Sequence, residues 1–235
     1  MDVYELRAQG EGEPVKLLLI RHGESQGNHE GRLQGRREFP LTERGREQCE
    51  ALAGRMTTLP VSAIYSSPIR RAHDTALFVG SELGLEVTLE PRVQEYDFGE
   101  RLSGLTWQEI REQQPEIVKA LASGQSEFPR YPGEEGRAAF HQRVCAAIGD
   151  IADRHREDPA VAVVTHAGPI VVYVLDTLGR GYSRPIPFTI ENTSITTIEL
   201  NNGAAAPFAP ASAIVGLNDT CHLSGLEPRA KLRLD

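Results

Sequence analysis

Val15-Lys16-Leu17-Leu18-Leu19-Ile20-Arg21-His22-Gly23-Glu24-Ser25 carries the change from apolar strand to charged turn around which the rest of the chain can be laid out. Val15 to Ile20 is a short, nearly continuous apolar run, the pattern of a strand buried on both faces of a parallel sheet. It stops where a guanidinium and an imidazole stand side by side, at Arg21 and His22, and Gly23 then permits close backbone approach by a ligand. Such a strand end suits an anion. Taken alone, the triplet fits a structural or surface role better.

Val161 to Thr165 repeats the design, a strand pattern ending at His166 and followed by Ala167 and Gly168. Between the two, Thr42 is a plausible N-cap for a helix to about Met56, with Cys49, Leu52, Ala53 and Met56 at three- and four-residue spacings. Val61 to Tyr65 reads as a strand. Pro68 opens a helix with Ala72, Ala76 and Leu83 toward the sheet, and Val87 to Leu89 is a short third strand. Residues 106–125 are weakly helical and interrupted by Pro115, 126–133 form a loop, and a longer helix runs from about Glu134 to Arg156. Thr193 to Leu200 and Ile214 to Leu217 read as late strands, joined by an Ala/Pro-rich connection over 203–213. Strands separated by helices predict a three-layer α/β/α sandwich with a mostly parallel central sheet, in which ligands collect outside the carboxyl ends of the strands. The expected organisation is one domain over 15–223, a flexible polar leader over 1–14 and a C-terminal tail over 224–235.

The chain has 235 residues and a formal charge of -8, which sets nucleic-acid binding aside because such surfaces need clustered cations. Lys16, Lys119 and Lys231 are its only lysines. Arginine suits bidentate oxyanion binding, but a genomic base-composition bias explains the preference first. Cys49, Cys145 and Cys221 form no CxxC pair and fit reduced thiols. No basic start with an apolar core and no membrane-length apolar run is visible, so a soluble, cytoplasmic protein without a membrane partner is expected. Its oligomeric state is left open.

Together with Ser66-Ser67-Pro68-Ile69-Arg70-Arg71-Ala72-His73-Asp74-Thr75, Glu95 and Val164-Thr165-His166-Ala167-Gly168, in that order, the opening motif resembles the histidine phosphatase superfamily, the phosphoglycerate mutase-like proteins. The resemblance spans roughly 16–223 and includes Asn28 to Thr42, Pro132-Gly133-Glu134, Asn192-Thr193-Ser194 and Asn218 to Leu223. It implies a phosphoglycerate mutase-like fold, with His22 as nucleophile, Arg21, Arg71 and His166 as the other phosphate-pocket residues, and Glu95 as proton donor. Gly23, Asn28, Gln34, Gly35, Ala167 and Gly168 match positions near the bound phosphate. Where many relatives read Gly-x-x-Glu-Gly after the acid, this chain has Gly99-Glu100-Arg101-Leu102-Ser103-Gly104, which puts transfer of a relative's substrate preference in doubt.

The residue chemistry agrees with these roles. A phosphate dianion is held best by guanidinium forks, and a neutral imidazole can attack phosphorus to form a phosphohistidine that water then cleaves. A carboxylic acid shielded from water can protonate the leaving alkoxide and then act as base. No His, Cys and carboxylate cluster has a recognisable metal-ligand spacing, and an arginine-lined pocket repels a cation, so no metal or other cofactor is expected. The expected activity is hydrolysis of a small phosphorylated substrate. A phosphoglycerate mutase is the alternative, since it uses the same core, and a silent phosphate-binding module is disfavoured because both His22 and Glu95 are present. Arg70 is assigned a structural role, His73 is left open between substrate and sheet, and His29, His141, His155 and His222 are expected to be exposed or ordinarily hydrogen-bonded.

Overall fold

The computed structural model describes residues 14–122, 130–181, 186–200 and 212–226. Its elements are β1 (Val15–Arg21), α1 (Gln26–His29), α2 (Glu43–Met56), β2 (Val61–Ser66), α3 (Arg70–Leu83), β3 (Val87–Leu89), α4 (Gly99–Leu102), α5 (Trp107–Gln113), α6 (Pro115–Ala122), α7 (Arg137–Arg154), β4 (Ala160–Thr165), α8 (Ala167–Thr177), β5 (Ile195–Leu200) and β6 (Ser212–Asp219). The strands form one sheet in the order β3-β2-β4-β1-β5-β6. β3, β2, β4 and β1 run parallel, while β5 and β6 add an antiparallel edge.

Alternation along the strands builds the three expected layers. Leu17 and Leu19 of β1 and Val161 and Val163 of β4 bury against Phe140, Val144, Ile148 and Ile151 of α7 and Ile170 and Val174 of α8. Leu18, Ile20, Ala162 and Val164 point to the opposite face, against Leu52 and Met56 of α2 and Ala72, Ala76 and Val79 of α3. Because both faces are covered, the central strands carry apolar residues continuously, which is why they read so clearly from the sequence. A smaller cluster of Leu102, Ile110, Ile117 and Tyr131 ties α4, α5 and α6 together, with Leu33 packed beside it.

Several boundaries moved for local reasons. Thr42 does cap α2, its Oγ1 accepting from the Gly45 amide at 3.0 Å. The third helix begins at Arg70 rather than Pro68, and α7 begins at Arg137 rather than Glu134 because Gly136 stands at φ 84°, a positive value that a right-handed helix does not admit. Residues 106–125 resolve into α5 and α6, separated at Gln114 just before Pro115. The leader apart from Pro14, the tail beyond Leu226, most of the 203–213 connection and residues 123–129 of the expected loop lie outside the described residues. Among the described residues no helix is long and apolar enough to cross a membrane.

Candidate active site

β1 and β4 are neighbours with Arg21 opposite Thr165, so the residues that follow them, His22 and His166, emerge together at the carboxyl edge. The His22 amide donates to the Thr165 carbonyl at 2.9 Å, continuing the ladder one step beyond the strand. The following turn is tied down by side chains: the Gly23 amide donates to Thr75 Oγ1 at 3.0 Å and the Glu24 amide to Gln48 Oε1 at 2.8 Å. Ser25 then caps α1 in a capping box with Asn28. Gly23 has a different use from the ligand approach expected of it. A Cβ there would meet Cys49 Sγ and the Gly45 carbonyl, each at 2.8 Å, so its small size lets the turn pack on α2, and it does not line the cavity.

His22 is almost fully buried, and its Nδ1 lies 2.7 Å from its neighbour's carbonyl, at Gly23. A carbonyl only accepts, so Nδ1 carries the proton and Nε2 keeps its lone pair. The Arg71 Nε–H donates to that lone pair at 3.1 Å. Burial, Arg71 and Arg21 push the His22 pKa well below its ordinary 6.5, against a smaller opposing effect of the Gly23 carbonyl. His166 is lowered likewise, by burial first and then by Arg71, His22 and Arg21. The two rings meet edge-on with centroids 5.1 Å apart.

The arginines are fixed from behind. Arg71 donates from Nη2 to the Gly35 carbonyl at 2.8 Å and from Nη1 to the Arg37 carbonyl at 2.9 Å. Its burial lowers its pKa to about 10, partly offset by Glu95 and Glu38, and it stays charged at neutral pH. Arg21 Nη1 donates to the Ile190 carbonyl at 2.5 Å. Arg21 Nε and His166 Nδ1 are buried with no hydrogen-bond partner among the described residues.

Glu95 sits across the cavity. Its carboxylate accepts from the Tyr96 amide at 2.8 Å and from the Gly168 amide, near the start of α8, at 3.2 Å. Arg143 of α7 holds the backbone of this segment, donating to the carbonyls of Arg92, Gln94 and Glu95 at 2.7–2.9 Å while pairing with Glu135. Sequence reasoning missed Arg143, because an arginine within a helix surface pattern carries no sign of a clamp. It also gave Ser67 no role. Ser67 Oγ lies 2.8 Å from His166 Nε2 and accepts from the Ile69 amide at 3.3 Å, so its own proton is available for Nε2. That arrangement puts the remaining imidazole proton on Nδ1, the unpartnered atom.

Arg21, His22, Asn28, Gln34, Gly35, Arg71, Glu95, Ala167 and Gly168 line one cavity of about 300 Å³, with Leu33, Tyr96, Phe98, Phe140, Val171 and Ile186 as its apolar lining. His166 lies beneath it, fully buried. Asn28 and Gln34 are held by Ser25, whose Oγ lies 2.9 and 2.8 Å from their side-chain oxygens, and Asn192 donates to the His22 carbonyl at 2.9 Å. Arg70 is outside, paired with Asp74 at 3.4 Å on the surface. His73 is outside too, lining a shallow depression with Leu77 and Leu85. His155 bonds Tyr65 and Asp158, and His222 Nε2 lies 3.3 Å from Thr193 Oγ1.

The family model for the histidine phosphatase superfamily (branch 1) matches residues 17–207. The chain belongs to the histidine phosphatase superfamily. Phosphoserine phosphatase 1 of Hydrogenobacter thermophilus is 33% identical over 209 residues, 89% of this chain and 94% of that protein. Among solved structures of histidine phosphatase relatives, Bacillus stearothermophilus YhfR superposes with a TM-score of 0.79 at 28% identity, covering 89% and 99% of the two chains. A mutant phosphoserine phosphatase from Entamoeba histolytica in complex with phosphoserine superposes with a TM-score of 0.75 at 27% identity, over the same shares.

Proposed function

We propose that this histidine phosphatase hydrolyses phosphomonoesters through a phosphohistidine on His22. The observation that carries the proposal is the pair of buried, unpartnered polar atoms, Arg21 Nε and His166 Nδ1, beside an imidazole whose unprotonated Nε2 is held by the Arg71 Nε–H. Buried donors are rarely left unsatisfied. A phosphoryl group supplies the acceptors: two of its oxygens take the orphaned N–H groups, and Arg71 turns its Nε–H from the His22 lone pair to a third. The His22 Nε2 then forms a bond to phosphorus as the ester P–O bond breaks, and Glu95 gives its proton to the departing alkoxide. In the second half Glu95 takes a proton from water, whose oxygen attacks phosphorus and releases His22 and inorganic phosphate. Holding His22 neutral by burial and by two guanidiniums keeps the nucleophile ready.

The cavity volume suits a small substrate, and the relatives named for phosphoserine make phosphoserine the first ester to test. Hydrolysis is favoured over isomerisation by charge. Between Thr106 and Arg137 the acids Glu109, Glu112, Glu116, Glu127, Glu134 and Glu135 outnumber the bases Arg111, Lys119, Arg130 and Arg137, so although Arg32 and Arg137 line the cavity, the segment as a whole offers little net attraction to the second phosphate a mutase must hold. The test combines acid quench during turnover with product analysis. Wild type should carry acid-labile phosphate and release inorganic phosphate from phosphoserine or another small ester without added metal, and His22→Ala should do neither. Full activity in His22→Ala, or 3-phosphoglycerate isomerisation about tenfold faster than the best phosphate release, would overturn the proposal.

A further inference from the structure

The chain has a second cluster of reactive side chains, on the outer seam where α7 packs on α8, and catalysis has no use for it. His141 and Cys145 are four residues apart on α7 and so share one helix face, and Asp176 reaches them from the last turn of α8. His141 Nε2 lies 2.8 Å from Asp176 Oδ1 and 3.7 Å from Cys145 Sγ, and ligand atoms of all three lie within 4.8 Å of one another. We infer that these three residues form a binding site for a zinc-type divalent cation, with water as the fourth ligand.

Geometry and chemistry both support the assignment. Tetrahedral zinc, with bonds of about 2.0–2.1 Å to nitrogen and oxygen and about 2.3 Å to sulfur, holds nitrogen and oxygen about 3.3 Å apart and sulfur about 3.6 Å from either. The His141 and Cys145 atoms already meet the nitrogen–sulfur spacing, and the His141 and Asp176 atoms need to part by roughly half an ångström. Those two side chains are 43% and 45% exposed, which gives them room to turn and leaves a coordination position open to solvent. Cys145 is anchored beneath them, packed with Tyr173 against the main core. A set of imidazole, thiolate and carboxylate favours zinc over the hard cations magnesium and calcium. Binding breaks the S–H bond of Cys145 and releases its proton to solvent while Sγ bonds the metal.

The cation acts as a rivet between helices. His166 opens α8 and Asp176 lies near its other end, so at 1.5 Å per residue the metal stands roughly 15 Å from the phosphate pocket. The alternative is a surface His–Asp hydrogen bond over a packed thiol that binds no metal. Cobalt(II) titration of the chelator-treated full chain separates the two. Wild type should take up one equivalent with a near-ultraviolet thiolate-to-cobalt band that zinc abolishes by displacement. Cys49→Ala and Cys221→Ala should keep the band, Cys145→Ser should lose it, and His141→Ala and Asp176→Asn should weaken binding about tenfold or more. Zinc should raise the melting temperature of wild type and leave that of Cys145→Ser unchanged. Phosphate release by His141→Ala, Cys145→Ser and Asp176→Asn should match wild type, which shows that they fold. A wild-type titration without the thiolate band, or a band that survives in Cys145→Ser, would overturn the site.

Discussion

Replacing Gly168 with alanine tests the placement of Glu95 without removing any catalytic group. A Cβ at this position would stand 2.0 Å from Glu95 Oε1 and 3.0 Å from Glu95 Cδ. Ordinary contact begins at about 3.5 Å, so the carboxylate must retreat by roughly 1.5 Å. That carboxylate is the end of a flexible side chain, and alanine is better than glycine inside a helix by about 0.5–1 kcal/mol, so the fold should survive. Misplacing a reacting group by about 1 Å can cost 10²-fold, and kcat for an alkyl phosphate should fall by about that factor. The loss should be much smaller for a nitrophenyl phosphate, whose leaving group needs little protonation. Glu95→Gln, expected to lose about 10²–10⁴, sets the lower bound of activity. Gly149→Ala in α7, where an added Cβ meets nothing within 4 Å, is the control. Steady-state kinetics across a series of leaving groups would settle the matter. Alkyl phosphate hydrolysis by Gly168→Ala within about threefold of wild type, or equal losses for both leaving groups when phosphoryl transfer to the enzyme limits each, would refute the argument.

Two other outcomes follow from buried charge. Arg143→Ala removes the clamp on three carbonyls and leaves Glu135, whose side chain is 11% exposed, with the Arg36 guanidinium and the Asp97 amide as its remaining partners. Stability in urea should fall by about 3 kcal/mol, with a lower kcat, and Arg143→Lys should restore neither because it lacks the planar fork; wild-type kcat in Arg143→Ala would show that the clamp does not hold Glu95 in place. His22 has a folded pKa well below 6.5, so below that pH the unfolded chain binds more protons than the folded one, and the stability present above about 6.5 is lost as pH falls. His22→Asn should therefore remove about 1.4 kcal/mol per pH unit from the slope of stability between about pH 5 and 6, and an unchanged slope would mean that the folded ring is protonated there.

What the sequence made legible depended on whether a feature had a local signature. The central strands showed themselves by unbroken apolar runs, and α2 by its cap and spacing. α8 went unnamed, because Ala167 to Leu175 is apolar on nearly every side and, with Pro169 in its first turn, offers no polar stripe to give a helical period. α1 and α4, four residues each, are too short to show any period. Among site residues, those in short motifs at strand ends were named with their family roles. Arg143, Ser67 and the α7–α8 cluster act on partners far along the chain, Arg143 on carbonyls about 50 positions earlier and His141 on a carboxylate 35 positions later, and no local pattern marks such pairs.

The strand order also sets when the pocket can exist. β1, which delivers Arg21 and His22, is flanked by β4 and β5, and both of its neighbours are made more than a hundred residues later. Nothing made earlier replaces them: β2 and β3 lie beyond β4, and the Ser67 that orients His166 has no imidazole to orient until β4 arrives. At about 5–20 residues per second, His22 leaves a ribosome roughly ten seconds or more before the strand that completes its site. Through that interval Arg21 and His22 are ordinary side chains on an unpaired apolar strand. The pocket forms only with the closing of the sheet, and a chain interrupted before Thr165 carries the opening motif without the strand and the second imidazole that stand beside it here.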